Sequence, residues 1–228
     1  MTGKLILVRH GETEGNVGKI LDTRLPGLPL TERGVAQAKT YGANLIAPPQ
    51  RLFSSAALRA RQTGGYIEAA TGVALDVLED LQEVQLGDLE GMNTPAAHEE
   101  FQRVYHAWHF GDLSVRVPGG ESGEDVLARY IPALHRLRDD YLSRPDAHDV
   151  IVVSHGAAMR LVSRELTGVP RHFAASNHLD NTETIELQPF EDGRWTCTRW
   201  GRYAAPFGDT TAPAADDQTE NIGDDPMG

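Results

Sequence analysis

Two short apolar runs in this chain end in the same way. Leu5-Ile6-Leu7-Val8 stops at Arg9-His10-Gly11, and Val150-Ile151-Val152-Val153-Ser154 stops at His155-Gly156. A run of aliphatic residues with no polar alternation leaves no face for water, so each reads as a strand covered on both sides. Helical patterns separate such strands along the rest of the chain. That alternation predicts an α/β fold, a three-layer sandwich with a mostly parallel sheet and helices on both faces.

The intervening segments carry the expected punctuation. Thr31 can cap a helix with Val35, Ala38, Tyr41 and Leu45 at three-to-four spacing, and Pro48-Pro49 ends it. Residues 51–54 predict a second strand, 56–71 a helix that Gly72 closes, and 73–77 a third strand. Residues 124–141 predict a long amphipathic helix with Leu127, Ile131, Leu134 and Leu137 inward; Pro132 is expected to bend it or delay its start. A further helix is expected to follow His155 and run to Leu166, and strands at 184–187 and 195–200 should flank an Asp192-Gly193 turn. The segment from about 84 to 120 is rich in Gly and His and places Phe101, Tyr105 and Trp108 on one short helix. It reads as a cap insertion over the strand ends, its aromatics lining the mouth of a site or, as is commoner for aromatics at helical spacing, packing as core. A single domain over 1–205 is expected, with an acidic tail over 206–228 that has little to bury and should be disordered.

Charge narrows the partners. The net charge is −12, and from Ala204 onward there are six acids and no Lys or Arg. Such a chain repels a nucleic-acid backbone, so a nucleic-acid partner is not expected, and any anionic ligand needs a local positive cluster. No apolar run is long enough to cross a membrane, and no signal-peptide pattern precedes the first strand. The single cysteine, Cys197, allows no internal disulfide. Together these predict a cytoplasmic protein, with homo-oligomerisation left open.

In an open α/β sheet ligands bind beyond the carboxyl ends of the strands, so His10 and His155 point into one crevice if their strands are neighbours. The glycine after each lets the backbone turn sharply. A third arm is Arg51-Leu52-Phe53-Ser54-Ser55-Ala56-Ala57-Leu58-Arg59, where a strand gives way to a helix whose N-terminal N–H groups favour anions. Arg59 lies within its first turn. Arg9, Arg59 and two imidazoles in a net-negative protein suit a phosphate group, which a guanidinium fork can grip through two hydrogen bonds. Arg61 should face solvent or an acid.

These segments, LVRHGETEGN, LTERG, SSAALRARQT, EVQLGDLEG, GGES and VVSHG, resemble in order and spacing the histidine phosphatase superfamily, over roughly residues 4–200. That superfamily holds cofactor-dependent phosphoglycerate mutases, fructose-2,6-bisphosphatases and broad-specificity phosphatases. The resemblance implies that His10 is a nucleophile attacking phosphorus through Nε2, with a backbone carbonyl holding its Nδ1–H. It implies that Arg9, Asn16, Arg59 and His155 bind the transferred phosphoryl group. Glu83 matches the residue that protonates the leaving alcohol and later accepts a proton from water; that work needs a raised pKa, which a partly closed pocket near other acids could supply. Glu12 should shape the loop. No cofactor and no metal are implied, and the substrate class is a small phosphorylated metabolite.

The pattern also departs from the mutases. They carry Glu-Arg-His-Tyr-Gly where this chain has Glu83-Val84-Gln85-Leu86-Gly87, and a Thr-Gly or similar pair near Asp22-Thr23. Both departures favour a phosphatase over phosphoglycerate mutase-type transfer. Three other readings compete with it. His98, His106 and His109 on one helix could belong to a metal hydrolase, though a solvated cap helix accounts for them. Gly120-Glu121-Ser122-Gly123 resembles a serine-hydrolase elbow but lacks its final glycine, and a loop leading to a helix cap fits better. A non-catalytic binding module on the same fold is the third.

Overall fold

The computed structural model describes residues 3–208 and 227. In chain order β1 (Leu5–Arg9) leads into a one-turn α1 (Glu14–Val17) and then α2 (Glu32–Ala43), followed by β2 (Arg51–Ser55), α3 (Leu58–Thr71) and β3 (Leu75–Leu78). Next come α4 (Pro95–His109), α5 (Gly123–Leu137), β4 (Val150–Ser154), α6 (Gly156–Thr167) and α7 (Arg171–Ser176), then β5 (Thr184–Pro189), β6 (Trp195–Trp200) and β7 (Tyr203–Ala204). The seven strands form one sheet in the order β3-β2-β4-β1-β5-β6-β7. The first four in that order run parallel, and β5, β6 and β7 are added antiparallel.

The two apolar runs sit where their lack of a polar face requires. β1 and β4 are adjacent and in register from Leu5–Val150 to Arg9–Ser154. Alternate residues feed opposite faces: Leu5, Leu7, Val150 and Val152 join the core beneath α4, α5 and α6, while Val8, Ile151 and Val153 join a smaller core beneath α2 and α3. The fold is therefore a three-layer α/β sandwich with a sheet that is parallel at its centre. Among the described residues no helix is long and apolar enough to cross a membrane.

Local chemistry sets the helix ends. Thr31 caps α2 through its hydroxyl, and Gly72 closes α3 in the left-handed conformation. Leu45 lies beyond α2, which stops at Ala43, but still packs against the smaller core. The expected effect of Pro132 on the start of α5 is corrected. That helix begins at Gly123 because Ser122 and Asp125 form a reciprocal capping box, and Pro132 lies inside it on the exposed side. Ser122 is thus a helix cap, as the loop reading of that segment required.

α4 is longer than a short helix, and its aromatics do not face a mouth. Phe101, Tyr105 and Trp108 are buried in the main core, and the Tyr105 hydroxyl donates to the Ala157 carbonyl at 2.7 Å. Large rings at three-to-four spacing gain more from burial against α6 than from lining a wet opening. Of the expected tail, 206–208 and 227 are described, and 209–226 and 228 lie outside the described residues. Phe207 packs against Phe173, and Met227 is buried.

Candidate phosphoryl-transfer site

The crevice opens beyond the carboxyl ends of β1, β2 and β4. The turn after β1 is held from several sides: His10 N–H donates to the Ser154 carbonyl at 3.0 Å, Gly11 N–H to Thr63 Oγ1 at 3.0 Å, and Asn181 Nδ2 to the His10 carbonyl at 3.1 Å. Gly11 also lies against Gly34 at the start of α2. A Cβ on Gly11 would come 2.5 Å from the Gly34 carbonyl oxygen, and one on Gly34 would come 2.0 Å from that of Glu12, so two bare backbones are required here. Glu12 shapes the same junction by accepting from Thr31 Oγ1 at 2.8 Å and pairing with Arg33 at 3.1 Å.

His10 is oriented by its own loop. Its Nδ1 lies 2.8 Å from the Gly11 carbonyl oxygen, an atom that can only accept, so Nδ1 carries the proton and Nε2 keeps a lone pair. Arg59 Nε donates to that lone pair at 3.2 Å. Burial, then the nearby charges of Arg59 and Arg9, hold the imidazole well below its usual pKa, so it is neutral at neutral pH.

His155 lies directly behind. Its ring is 5.3 Å from that of His10, edge to face, and fully buried. Its Nε2 is 2.7 Å from Ser55 Oγ, and Ser55 Oγ in turn accepts from Ala57 N–H at 3.2 Å. Where the hydroxyl donates onward to Nε2, the proton of the neutral ring sits on Nδ1, a buried atom with no hydrogen-bond partner among the described residues. That N–H is a donor awaiting an acceptor. Ser55, the last residue of β2, thus holds the His155 ring in place, a contact that the sequence pattern around Ser54-Ser55 does not reveal.

The two arginines are buried alongside. Arg9 donates from Nη1 to the Leu179 carbonyl at 2.6 Å, and Arg59 has Nη1 3.6 Å from the Asp22 carboxylate. Arg61, by contrast, is exposed. The N-terminus of α3 offers less than its position suggests. Ala57 N–H goes to Ser55 Oγ and Leu58 N–H to the Pro26 carbonyl at 2.7 Å, because the 22–28 loop folds back over that end. It is the Arg59 side chain, more than the first backbone donors of its helix, that faces the crevice.

Asn16 lines the pocket, but its Oδ1 is used in the capping box of α1, accepting from Thr13 N–H at 3.0 Å. Only the donor end of its amide could meet an anion. Glu83 lines the opposite wall at 3% exposure, and its carboxylate accepts from Val84 N–H at 2.8 Å, Ala158 N–H at 2.8 Å and Ala157 N–H at 3.1 Å. Its pKa is raised, and the cause is burial. No neighbouring acid is among its main causes, while the three backbone bonds and Arg59 oppose the rise. Thr13, Gly15, Ile20, Asp22 and Met227 complete the described wall.

The helix histidines are separate from this site. His109 is buried with neither ring nitrogen hydrogen-bonded among the described residues, His106 stacks on Phe110, and His98 meets the Lys19 carbonyl. Among the described residues no group of three or more His, Cys, Asp or Glu could hold a metal.

A neutral imidazole whose lone pair is met only by the Arg59 guanidinium, a second buried guanidinium, a second buried imidazole and a buried carboxyl group define a centre suited to moving a phosphoryl group. The chain belongs to the histidine phosphatase superfamily (branch 1), whose profile matches residues 5–202. It is 36% identical over 176 residues to a 2,3-bisphosphoglycerate-dependent phosphoglycerate mutase of Mesorhizobium japonicum, covering 74% of this chain and 83% of that one. It is 33% identical over 168 residues to the adenosylcobalamin/alpha-ribazole phosphatase of Salmonella typhimurium, covering 73% and 81%. In structure it resembles the mycobacterial glucosyl-3-phosphoglycerate phosphatase with a TM-score of 0.73 at 26% identity, over 87% of this chain and 98% of that one.

Proposed function

We propose that this protein is a phosphatase that hydrolyses small organic phosphate monoesters through a phosphohistidine on His10. The observation that carries the reading is the tautomer of His10: its Nδ1–H bonds the Gly11 carbonyl, which leaves the lone pair on Nε2, where it accepts from Arg59.

In the first step the Nε2 lone pair forms a bond to phosphorus, the bond from phosphorus to the ester oxygen breaks, and Glu83 gives its proton to the departing alkoxide. Arg9, Arg59, Nδ1–H of His155 and the Asn16 amide neutralise the three equatorial oxygens as the group flattens. Arg59 Nε must leave His10 for the phosphoryl oxygens, which exposes the lone pair only when substrate is present. In the second step Glu83, now a carboxylate, takes a proton from water as the water attacks phosphorus. The P–N bond breaks, its electron pair returns to Nε2, and inorganic phosphate leaves. A raised carboxyl pKa serves the first half of that cycle, because it favours the protonated form that supplies the proton.

Phosphoryl transfer between phosphoglycerates is a second reading, favoured by the 36% identity to a mutase. Against it, residues 84–86 put no cation at the mouth. Val84 and Leu86 are buried, and the Gln85 amide donates to the Glu83 carbonyl at 2.9 Å. Incubation with labelled p-nitrophenyl phosphate in EDTA, quenched in alkali, should leave label on His10 and release inorganic phosphate, whereas His10→Ala should show neither. Isomerised phosphoglycerate without phosphate release would favour the mutase, and absence of turnover with every monoester tried would overturn both.

A further inference from the structure

The pocket that receives the leaving group carries an acid where a phosphate site would ordinarily gather cations. Asp22 stands on its wall, its carboxylate about 16% exposed, with Oδ2 accepting from Leu28 N–H at 2.8 Å and lying 3.6 Å from Arg59 Nη1. Arg59 is the one cation among the described residues on that wall, with Arg9 buried behind it. Resting on the phosphatase reading, we infer that Asp22 is a specificity-determining residue, restricting the enzyme to monoesters whose leaving alcohol carries no anionic group next to the phosphate.

Charge counting supports this. A phosphate dianion engages both guanidinium groups, and the charge it matches is the charge that had balanced Asp22. Once substrate is seated, the Asp22 carboxylate is an uncompensated negative charge facing the leaving group. A carboxylate or second phosphate on that group would meet like charge within a pocket whose walls exclude much of the screening water.

Among the described residues, the donors next to Asp22 in sequence and on the 83–85 segment are already taken. Thr23 N–H, Thr23 Oγ1 and Arg24 N–H all point at Glu90, at 2.8, 2.5 and 2.9 Å. The Gln85 amide is taken by the carbonyls of Glu83 and Thr23. The Arg24 side chain is exposed and reaches the Gly87 carbonyl at 3.4 Å, outside the pocket wall. A neutral alcohol meets none of this opposition, and its hydroxyl groups can donate to Asp22.

The test is a matched pair of ligands, glycerol 3-phosphate and 3-phosphoglycerate, which differ by a hydroxymethyl group against a carboxylate. Each is measured as a competitive inhibitor of p-nitrophenyl phosphate turnover, so neither need be turned over. The wild-type protein should bind glycerol 3-phosphate more tightly by about tenfold, the factor for a unit charge ~6 Å away at an effective dielectric of ~40. Asp22→Asn keeps an oxygen to accept from Leu28 N–H, and should shrink that ratio toward one by improving the 3-phosphoglycerate constant. An unchanged ratio in Asp22→Asn overturns the inference, as does equal binding of the two ligands to wild type, which decides the matter even where the variant fails to fold. Either result leaves His10 labelling by p-nitrophenyl phosphate intact; loss of that labelling instead overturns the phosphatase reading itself.

Discussion

Replacing Glu83 by Gln separates proton transfer from phosphoryl transfer. The carboxylate now accepts three backbone N–H bonds, two on Oε1 from Val84 and Ala158 and one on Oε2 from Ala157. A glutamine can keep both bonds on Oε1 only by turning its NH2 toward Ala157 N–H at the place of a 3.1 Å acceptor, donor against donor. A buried donor left without an acceptor costs about 1–3 kcal/mol, so the variant should fold with a modestly lower Tm. Its chemistry should change more. With an alkyl phosphate the departing alkoxide needs a proton, and turnover should fall by about 10²–10⁴, the usual worth of a positioned acid–base. With p-nitrophenyl phosphate the leaving phenolate needs none, so the first step should survive while the second, which lacks its base, slows. Rapid-mixing measurements should then show a burst of nitrophenol matching the enzyme concentration, with phosphohistidine accumulating behind it. Equal losses on alkyl and nitrophenyl esters with no burst would refute the role assigned to Glu83.

Two further predictions follow from the imidazoles. Ser55→Ala removes the group that points the His155 tautomer; inorganic phosphate should then inhibit roughly 3- to 10-fold less strongly, the cost of one weakened hydrogen bond to an anion, with the Tm little changed. His10, His109 and His155 all have pKa values lowered well below 6.5 by burial, so each stays neutral in the fold while the unfolded chain takes up a proton. Because the unfolded state binds more protons below about pH 6.5, stability should be undiminished above that pH and lost progressively as it falls. His109→Leu deletes one of these groups outside the pocket, together with its two unpartnered nitrogens. Thermal melts should show it gaining on wild type at pH 5.5 more than at pH 8; equal differences at both would assign the acid sensitivity elsewhere.

Much of the architecture could be read from periodicity alone. The uninterrupted aliphatic runs demanded cover on both faces, and β1 and β4 lie side by side at the centre of the sheet, each followed by His-Gly. Thr31, Gly72 and the Asp192-Gly193 turn mark ends whose chemistry is local, so sequence sufficed. Periodicity was ambiguous for α4, where three-to-four spacing of aromatics describes a buried face without saying what buries it. Packing against α6 made that face core. Pro132 misled for the opposite reason: its penalty is local, but the start of α5 was decided by a capping box ten residues earlier.

The residue types of the site were legible too, because phosphate chemistry needs guanidinium and imidazole groups and the strand ends supplied them. What tertiary structure alone decided is where each donor and acceptor finds its partner. Glu83 reaches the first turn of α6, 74 residues away, and its pKa rises through burial without help from its acidic sequence neighbours. His155 Nε2 finds its hydrogen-bond partner in Ser55, 100 residues away. Asp22 meets Arg59 because the 22–28 loop folds over α3. Side-chain burial follows a repeat that a sequence displays, whereas the pairing of polar groups depends on segments brought together only by the completed core.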